Sequence, residues 1–79
     1  MTEKHWYLID DCTRAKGQIF ETRINVSDAS HAAAIAEIEW KALSPHDQAL
    51  RDAFYIGFAA LDDDGCIDYD SMTDIVSIK

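Results

Sequence analysis

The sequence has few basic residues: seven Lys and Arg stand against fifteen Asp and Glu in 79 residues, for a net charge of −8. Proteins that bind the phosphate backbone of nucleic acids gather Lys and Arg on one face. Anionic membrane surfaces are bound by similar basic clusters. We therefore expect neither nucleic-acid binding nor membrane adhesion, because the bases are scattered along the chain at Lys4, Arg14, Lys16, Arg23, Lys41, Arg51 and Lys79.

Long apolar runs and an export signal are also missing. No run approaches the roughly 18 apolar residues of a membrane span. Residues 1–6 lack the charged-then-apolar layout of a signal peptide. We expect a cytoplasmic protein, whose two cysteines, Cys12 and Cys66, remain thiols in that reducing compartment.

Catalytic motifs are missing as well. The sequence contains no P-loop, no Gly-rich dinucleotide fingerprint and no nucleophile elbow. The two cysteines and the three histidines (His5, His31 and His46) form no pair at metal-ligand spacing. A chain this short also rarely encloses a pocket of several hundred cubic ångströms. We predict no enzyme, and no catalytic residue, cofactor or resident metal.

Acidic residues are abundant near the C-terminus. Residues 52–79 hold seven acids and one base, for a net charge of −6, whereas residues 1–51 hold eight acids and six bases, for a net charge of −2. Such a run indicates an acidic surface, and its simplest role is to keep a small protein soluble. Six of these acids fall within thirteen residues, at Asp62, Asp63, Asp64, Asp68, Asp70 and Asp74.

Part of this acidic run resembles the middle of an EF-hand calcium loop. Asp62, Asp64 and Asp68 are spaced like calcium ligands, with a glycine and an aliphatic residue between them. The resemblance covers seven residues and ends on both sides: Ala60 stands where the first carboxylate is needed, and Ser71 where a bidentate glutamate is needed. The alternative is a turn between two strands, built from Asp and Gly.

Two strands are predicted at the start of the chain. Residues 5–9 are aromatic and aliphatic, as is typical of a strand, and residues 18–26 alternate between apolar and polar side chains from Phe20 onward. The polar residues 13–17 end in glycine and indicate a hairpin loop between them.

Two helices should follow. Ser27 or Asp28 can cap a helix over residues 29–43, and Ser44 with Pro45 is typical of the start of a second, short helix that ends near Asp52. The long helix has a broad apolar arc, and Glu39 falls inside it. Either Glu39 meets Arg23 or Arg51 or a partner surface, or the arc is wider than the sheet it covers and Glu39 lies at the margin.

Three further strands are predicted. Residues 53–61 are apolar almost throughout, which favours a central strand, although Ala59 to Leu61 also suit a helix. Residues 66–69 and 74–78 could each form a short strand. We therefore expect an α+β fold for a single domain over residues 1–79. Its order is β-β-α-(short α)-β-β-β, with a mostly antiparallel sheet and the long helix packed on one face.

The leading functional hypothesis is a small protein-interaction module. If the helix covers one face of the sheet, Tyr7, Tyr55 and Tyr69 would form an exposed aromatic patch on the other, and such patches mark interfaces. The alternative is that the short helix or a loop covers this face. Chains of this size are marginally stable without a metal, disulfides or a partner chain, so a homodimer is one form that this hypothesis can take.

The second hypothesis is an acidic inhibitor that mimics nucleic acid. In length, charge and α+β order the chain is similar, in a general way, to small phage and plasmid proteins that block host defence systems. Alternate strand residues lie about 6.6 Å apart. Asp68 and Asp70, with the turn Asp62, Asp63 and Asp64, could thus present a row of charge to a basic groove.

Overall fold

The computed structural model describes residues 3–79. Met1 and Thr2 lie outside these residues. They belong to the predicted domain over residues 1–79 and to residues 1–6, where no signal peptide is predicted. The strands are β1 (His5–Cys12), β2 (Gln18–Ile24), β3 (Ala53–Ala59) and β4 (Thr73–Ser77). The helices are α1 (Thr13–Lys16), α2 (Ala29–Ala42) and α3 (Pro45–Ala49), and a 3-10 turn spans Tyr69–Ser71.

The four strands form one antiparallel sheet in the order β2-β1-β3-β4. The hairpin β1–β2 pairs Trp6 with Ile24 and Cys12 with Gln18. Between these strands, α1 is a single helical turn that Gly17 ends in the left-handed conformation, at φ 67°. The expected α+β class, with one long and one short helix, is confirmed, and β1 and β3 are the central strands.

Helix α2 begins at the predicted cap. The Asp28 carboxylate accepts a hydrogen bond from the His31 backbone N–H at 2.9 Å, which satisfies one of the free donors of the first turn. Ala32 and Ala36 are completely buried against the sheet, and their small side chains let the helix lie close to it. The core between helix and sheet is formed by Trp6, Leu8, Ile24, Ala32, Ala36, Phe54 and Ile56.

The apolar arc of α2 is wider than the sheet beneath it. Ile35 and Ile38 lie on its exposed side, 37% and 68% exposed. Glu39 is exposed too, as the second of the two interpretations expected. Arg23 and Arg51 do not meet it: Arg23 contacts His5 and Arg51 pairs with Asp10.

The second face of the sheet is covered by the connection between β3 and β4. Residues 60–72 fold back over the sheet, with a single bridge between Leu61 and Ile67 and the 3-10 turn after it. Under this cover lies a second core cluster, formed by Tyr7, Ile9, Ala59 and Ile67 with Tyr55, Leu61 and Met72 partly buried beside them.

The prediction for residues 53–61 is confirmed as a strand over Ala53–Ala59. The prediction of a strand at 66–69 is wrong. Asp68 caps the 3-10 turn by accepting a hydrogen bond from the Asp70 N–H at 3.1 Å. This local bond takes the place of the backbone hydrogen bonds that a strand would make with a neighbouring strand. The last strand lies one residue earlier than predicted.

Among residues 3–79, no helix has both the length and the apolar character that crossing a membrane requires.

Candidate functional site

The three tyrosines proposed as an interaction patch do not form an open surface. Tyr7 is 6% exposed beneath the 60–72 connection, and Tyr55 is half-buried next to it. Tyr69 belongs to the covering segment and is 45% exposed. The alternative that a loop covers this face therefore describes the molecule, and the aromatic side chains serve mainly as core.

Tyr69 links the covering segment to the sheet. Its hydroxyl donates a hydrogen bond to the Glu21 carboxylate on β2. Burial, followed by this hydrogen bond, raises the pKa of Tyr69 well above its usual value. Burial, followed by the charges of Asp11 and Glu21, also raises the pKa of Tyr55. Both phenols are thus held in the protonated form.

Asp62 stabilises the acidic turn formed by residues 62–65. Its carboxylate accepts hydrogen bonds from the backbone N–H groups of Asp64 at 2.9 Å and Cys66 at 3.0 Å, and Gly65 takes the left-handed conformation at φ 82°. Asp63 and Asp64 are exposed at the tip of the turn. The first acid of the run therefore has a local structural task, whereas the next two present charge to solvent.

Asp68 and Asp70 do not form the predicted row. Asp68 caps the 3-10 turn and Asp70 lies inside that turn, so their side chains do not alternate along a strand. The geometric basis for a regular row of negative charge is therefore missing at these two positions, although Asp70 remains exposed.

The calcium hypothesis concerns Asp62, Asp64 and Asp68. Residues before the turn form β3 rather than the entering helix of an EF-hand. Two of the three carboxylates accept backbone N–H groups, as described above. Within residues 3–79, no three His, Cys, Asp or Glu side chains form a group that could hold a metal ion.

A buried ion pair that sequence reasoning missed joins Asp10 and Arg51. The Arg51 side chain donates to both Asp10 carboxylate oxygens, at 3.0 and 3.3 Å, and to the Asp47 backbone carbonyl at 2.9 Å. Arg51 is 8% exposed. The available signal was the alternation of β1, which places Asp10 in line with Trp6 and Leu8 on the helix-covered face, where a carboxylate needs a partner.

Cys12 lies next to this ion pair. It is completely buried, and its thiol contacts an Asp10 carboxylate oxygen at 3.5 Å. Burial, followed by the charge of Asp10, raises the pKa of the Cys12 thiol. Since the thiolate is the nucleophilic form, Cys12 is unsuited to nucleophilic catalysis. The cluster of Asp10, Arg51 and Cys12 ties β1 to the end of α3.

The surface with the clearest interaction geometry is the outer edge of β2. Every β2 residue except Ile24 is exposed, including Ile19 at 50% and Phe20 at 46%. Within the described part of the chain, β2 pairs only with β1, so its other edge presents unpaired backbone N–H and C=O groups. Phe20 lies on the helix-covered face and Ile19 on the opposite face.

The opposite edge of the sheet, β4, is less regular. Its pairing with β3 shifts register between Ile56 and Phe58, and Asp74 has a positive φ of 55°. Bulges, kinks and charges of this kind protect strand edges from pairing with other chains. Strand β2 carries the charges Glu21 and Arg23, but its register with β1 is uninterrupted and it has no positive-φ residue. The two edges thus differ in how readily they can accept another strand.

A shallow depression of about 560 Å³ lies where β2 leads into α2. Arg23 and His5 meet there, and the Arg23 guanidinium donates a hydrogen bond to His5 Nδ1 at 3.0 Å. The depression is wide open and continues the β2 edge. Its lining consists of His5, Arg23, Ile24, Asn25, Val26, Ser27 and His31.

No family model matches the chain, and comparisons with curated proteins and with solved structures gave no match.

Proposed function

We propose that the chain is a small, noncatalytic interaction module that binds a protein partner through the outer edge of β2. The observation that carries this proposal is the exposure of a regular edge strand that bears Ile19 and Phe20. A partner strand added to this edge would satisfy the free backbone groups, while its side chains would cover the two apolar residues.

The covering of both sheet faces supports the choice of the edge. Helix α2 occupies one face and residues 60–72 the other, so the central strands offer little open apolar surface. The apolar side chains exposed at β2 lie next to unpaired backbone. Main-chain hydrogen bonds together with flanking apolar contacts are the usual basis of strand addition.

A cytoplasmic setting belongs to the same proposal. Cys12 and Cys66 are both free thiols, which is the state expected in a reducing compartment.

An affinity capture with four forms of the protein tests the proposal: the unmodified chain, Phe20→Lys, Ile75→Lys and a triple variant with Asp62, Asp63 and Asp64 changed to Asn. Phe20→Lys removes an exposed apolar residue from β2 and adds an edge lysine, which disfavours strand pairing. Ile75→Lys makes the same kind of change on β4, where Ile75 is 58% exposed.

We expect a captured partner to be lost with Phe20→Lys and retained with Ile75→Lys. Loss with the triple variant alone would instead favour the acidic inhibitor, particularly if the partner were a nucleic-acid enzyme and its binding fell steeply with salt. A partner retained by Phe20→Lys would contradict the assignment to β2.

A further inference from the structure

We propose that the strand which pairs with β2 comes from a second copy of this chain, so that two four-stranded sheets join edge to edge around a two-fold axis. This partner rests on the interaction role of β2 proposed above. A two-fold interface is self-complementary, since the same surface of each copy meets its counterpart. Strand β2 must therefore match its own sequence read in the opposite direction.

The charges of β2 match in one register. When Thr22 faces Thr22 of the second copy, Glu21 of each chain faces Arg23 of the other. Opposite charges on directly facing strand positions attract, whereas like charges repel. Both side chains are exposed and lie on the same face of the sheet, so two equivalent ion pairs would form on that face.

The apolar residues match in the same register. Phe20 of each copy faces Ile24 of the other, on the face where α2 packs. Phe20 is 46% exposed and Ile24 is buried at the end of the helix-covered core. The pairing would therefore place the exposed phenyl ring next to the core of the neighbouring copy and join the two cores across the axis.

Charge disfavours the two neighbouring registers. Centring the axis on Glu21 would place two carboxylates opposite each other, and centring it on Arg23 would place two guanidinium groups opposite each other. A two-fold axis perpendicular to the sheet also keeps equivalent faces on the same side. Only the register centred on Thr22 gives complementary charges together with apolar contacts.

The positions of the helices leave room for this pairing. Helix α2 packs over β1 and β3, so two β2 strands would separate the helices of the two copies. Glu21 contacts Tyr69 and Arg23 contacts His5. Glu21 and Arg23 are both exposed, so their side chains can turn from these contacts toward the second copy.

Charge reversal tests the proposal. The association of the unmodified chain, of Glu21→Arg and of Arg23→Glu would be measured by sedimentation equilibrium over a range of concentrations. Each reversal places like charges on both facing positions, so we expect the dimer dissociation constant to rise roughly tenfold or more. Glu37→Arg and Lys41→Glu, on the exposed side of α2, change the net charge equally and should leave association unaltered.

The mixture of the two variants gives the sharpest result. Glu21→Arg carries two bases and Arg23→Glu two acids at these positions, so an equimolar mixture should form a heterodimer although each variant alone is weakened. The double variant should regain self-association. Thermal unfolding of each single variant would show that it remains folded.

Three results would overturn the proposal: an unmodified chain that is monomeric at every concentration, a dimer that neither reversal weakens, or a mixture that does not associate. The first result, combined with a different protein captured through Phe20, would leave the interaction role of β2 intact and remove only the second copy as its partner. If the chain neither self-associated nor captured a different protein through Phe20, the β2 interface itself would be contradicted.

Discussion

Arg51 shows what a single charged residue does in this small core. Its guanidinium donates three hydrogen bonds within the protein, two to Asp10 and one to the Asp47 carbonyl, in place of the hydrogen bonds that it would make to water. These bonds compensate for the cost of removing both charges from solvent, and the pair fixes β1 against the end of α3. Its contribution therefore depends on both partners being present.

Removing Arg51 alone should be strongly destabilising. Arg51→Met keeps the apolar stem but leaves the Asp10 carboxylate without its partner, so we expect the free energy of unfolding to fall by about 3 kcal/mol. Urea unfolding would measure it. Arg14→Met is a matched control, because Arg14 pairs with Asp52 on the surface and its side chain is 85% exposed. Equal losses in both variants would contradict the structural role assigned to the buried pair.

Tyr69 should make stability depend on pH in the alkaline range. Its pKa is raised in the folded protein, whereas the unfolded chain titrates near 10.0. The stabilisation is thus fully present below pH 10 and is lost as the pH rises above it, because the unfolded state then releases the proton more readily. Tyr69→Phe should flatten this decline between about pH 9 and about pH 11 in urea unfolding. A decline as steep as that of the unmodified chain would contradict this assignment.

At the scale of elements, the connection between β3 and β4 depends on a close approach at Gly57. A Cβ added there would lie 2.4 Å from Met72 Sδ and 2.6 Å from Met72 Cγ. The absence of a side chain on β3 therefore makes space for Met72, which packs against the second core cluster. Glycine is required here because it has no side chain and not for its backbone freedom, since Gly57 is not among the positive-φ residues of the described chain.

Gly57→Ala should displace the Met72 side chain and destabilise the protein by about 1–2 kcal/mol. In the double variant with Met72→Ala the clash is absent, so the effects of the two changes should not add. Thermal unfolding of both single variants and the double variant would measure this coupling. Gly17→Ala, where a Cβ has no neighbour within 4 Å, tests backbone strain alone. Additive effects of Gly57→Ala and Met72→Ala would show that the two residues are independent.

The sequence predicted elements that depend on local patterns. Alternation in 18–26, the Asp28 cap and the Ser44-Pro45 start each led to an element that the structure contains. It failed at residues 66–69, where the hydrogen bond from the Asp70 N–H to Asp68 competes with strand pairing. The Asp10–Arg51 contact spans 41 residues, so no local pattern could identify the partner. The β2 edge could be recognised only once the strand order was known.

At the scale of the whole molecule, the charge of −8 should make stability increase with salt. Repulsion among exposed acids acts against the compact state and is screened as ionic strength rises. We expect the melting temperature to rise between about 10 mM and about 300 mM NaCl. Changing Asp62, Asp63 and Asp64 to Asn lowers the charge from −8 to −5 and should weaken this dependence. A melting temperature that falls with added salt would show that attractive ion pairs dominate instead.

The central place of β1 has a consequence for the order in which the chain can fold. Strand β1 can pair with β2 as soon as the hairpin has been synthesised, but its other edge pairs with β3, where Asp11 meets Ala53 and His5 meets Ala59. Contacts this distant along the chain form slowly, because a long loop must close first. On the ribosome, the hairpin therefore emerges with Trp6 and Leu8 uncovered until α2 packs on them, and with Ile9 uncovered until residues 60–72 are in place. During that interval the nascent chain exposes hydrophobic surface, which is the kind of surface that chaperones bind.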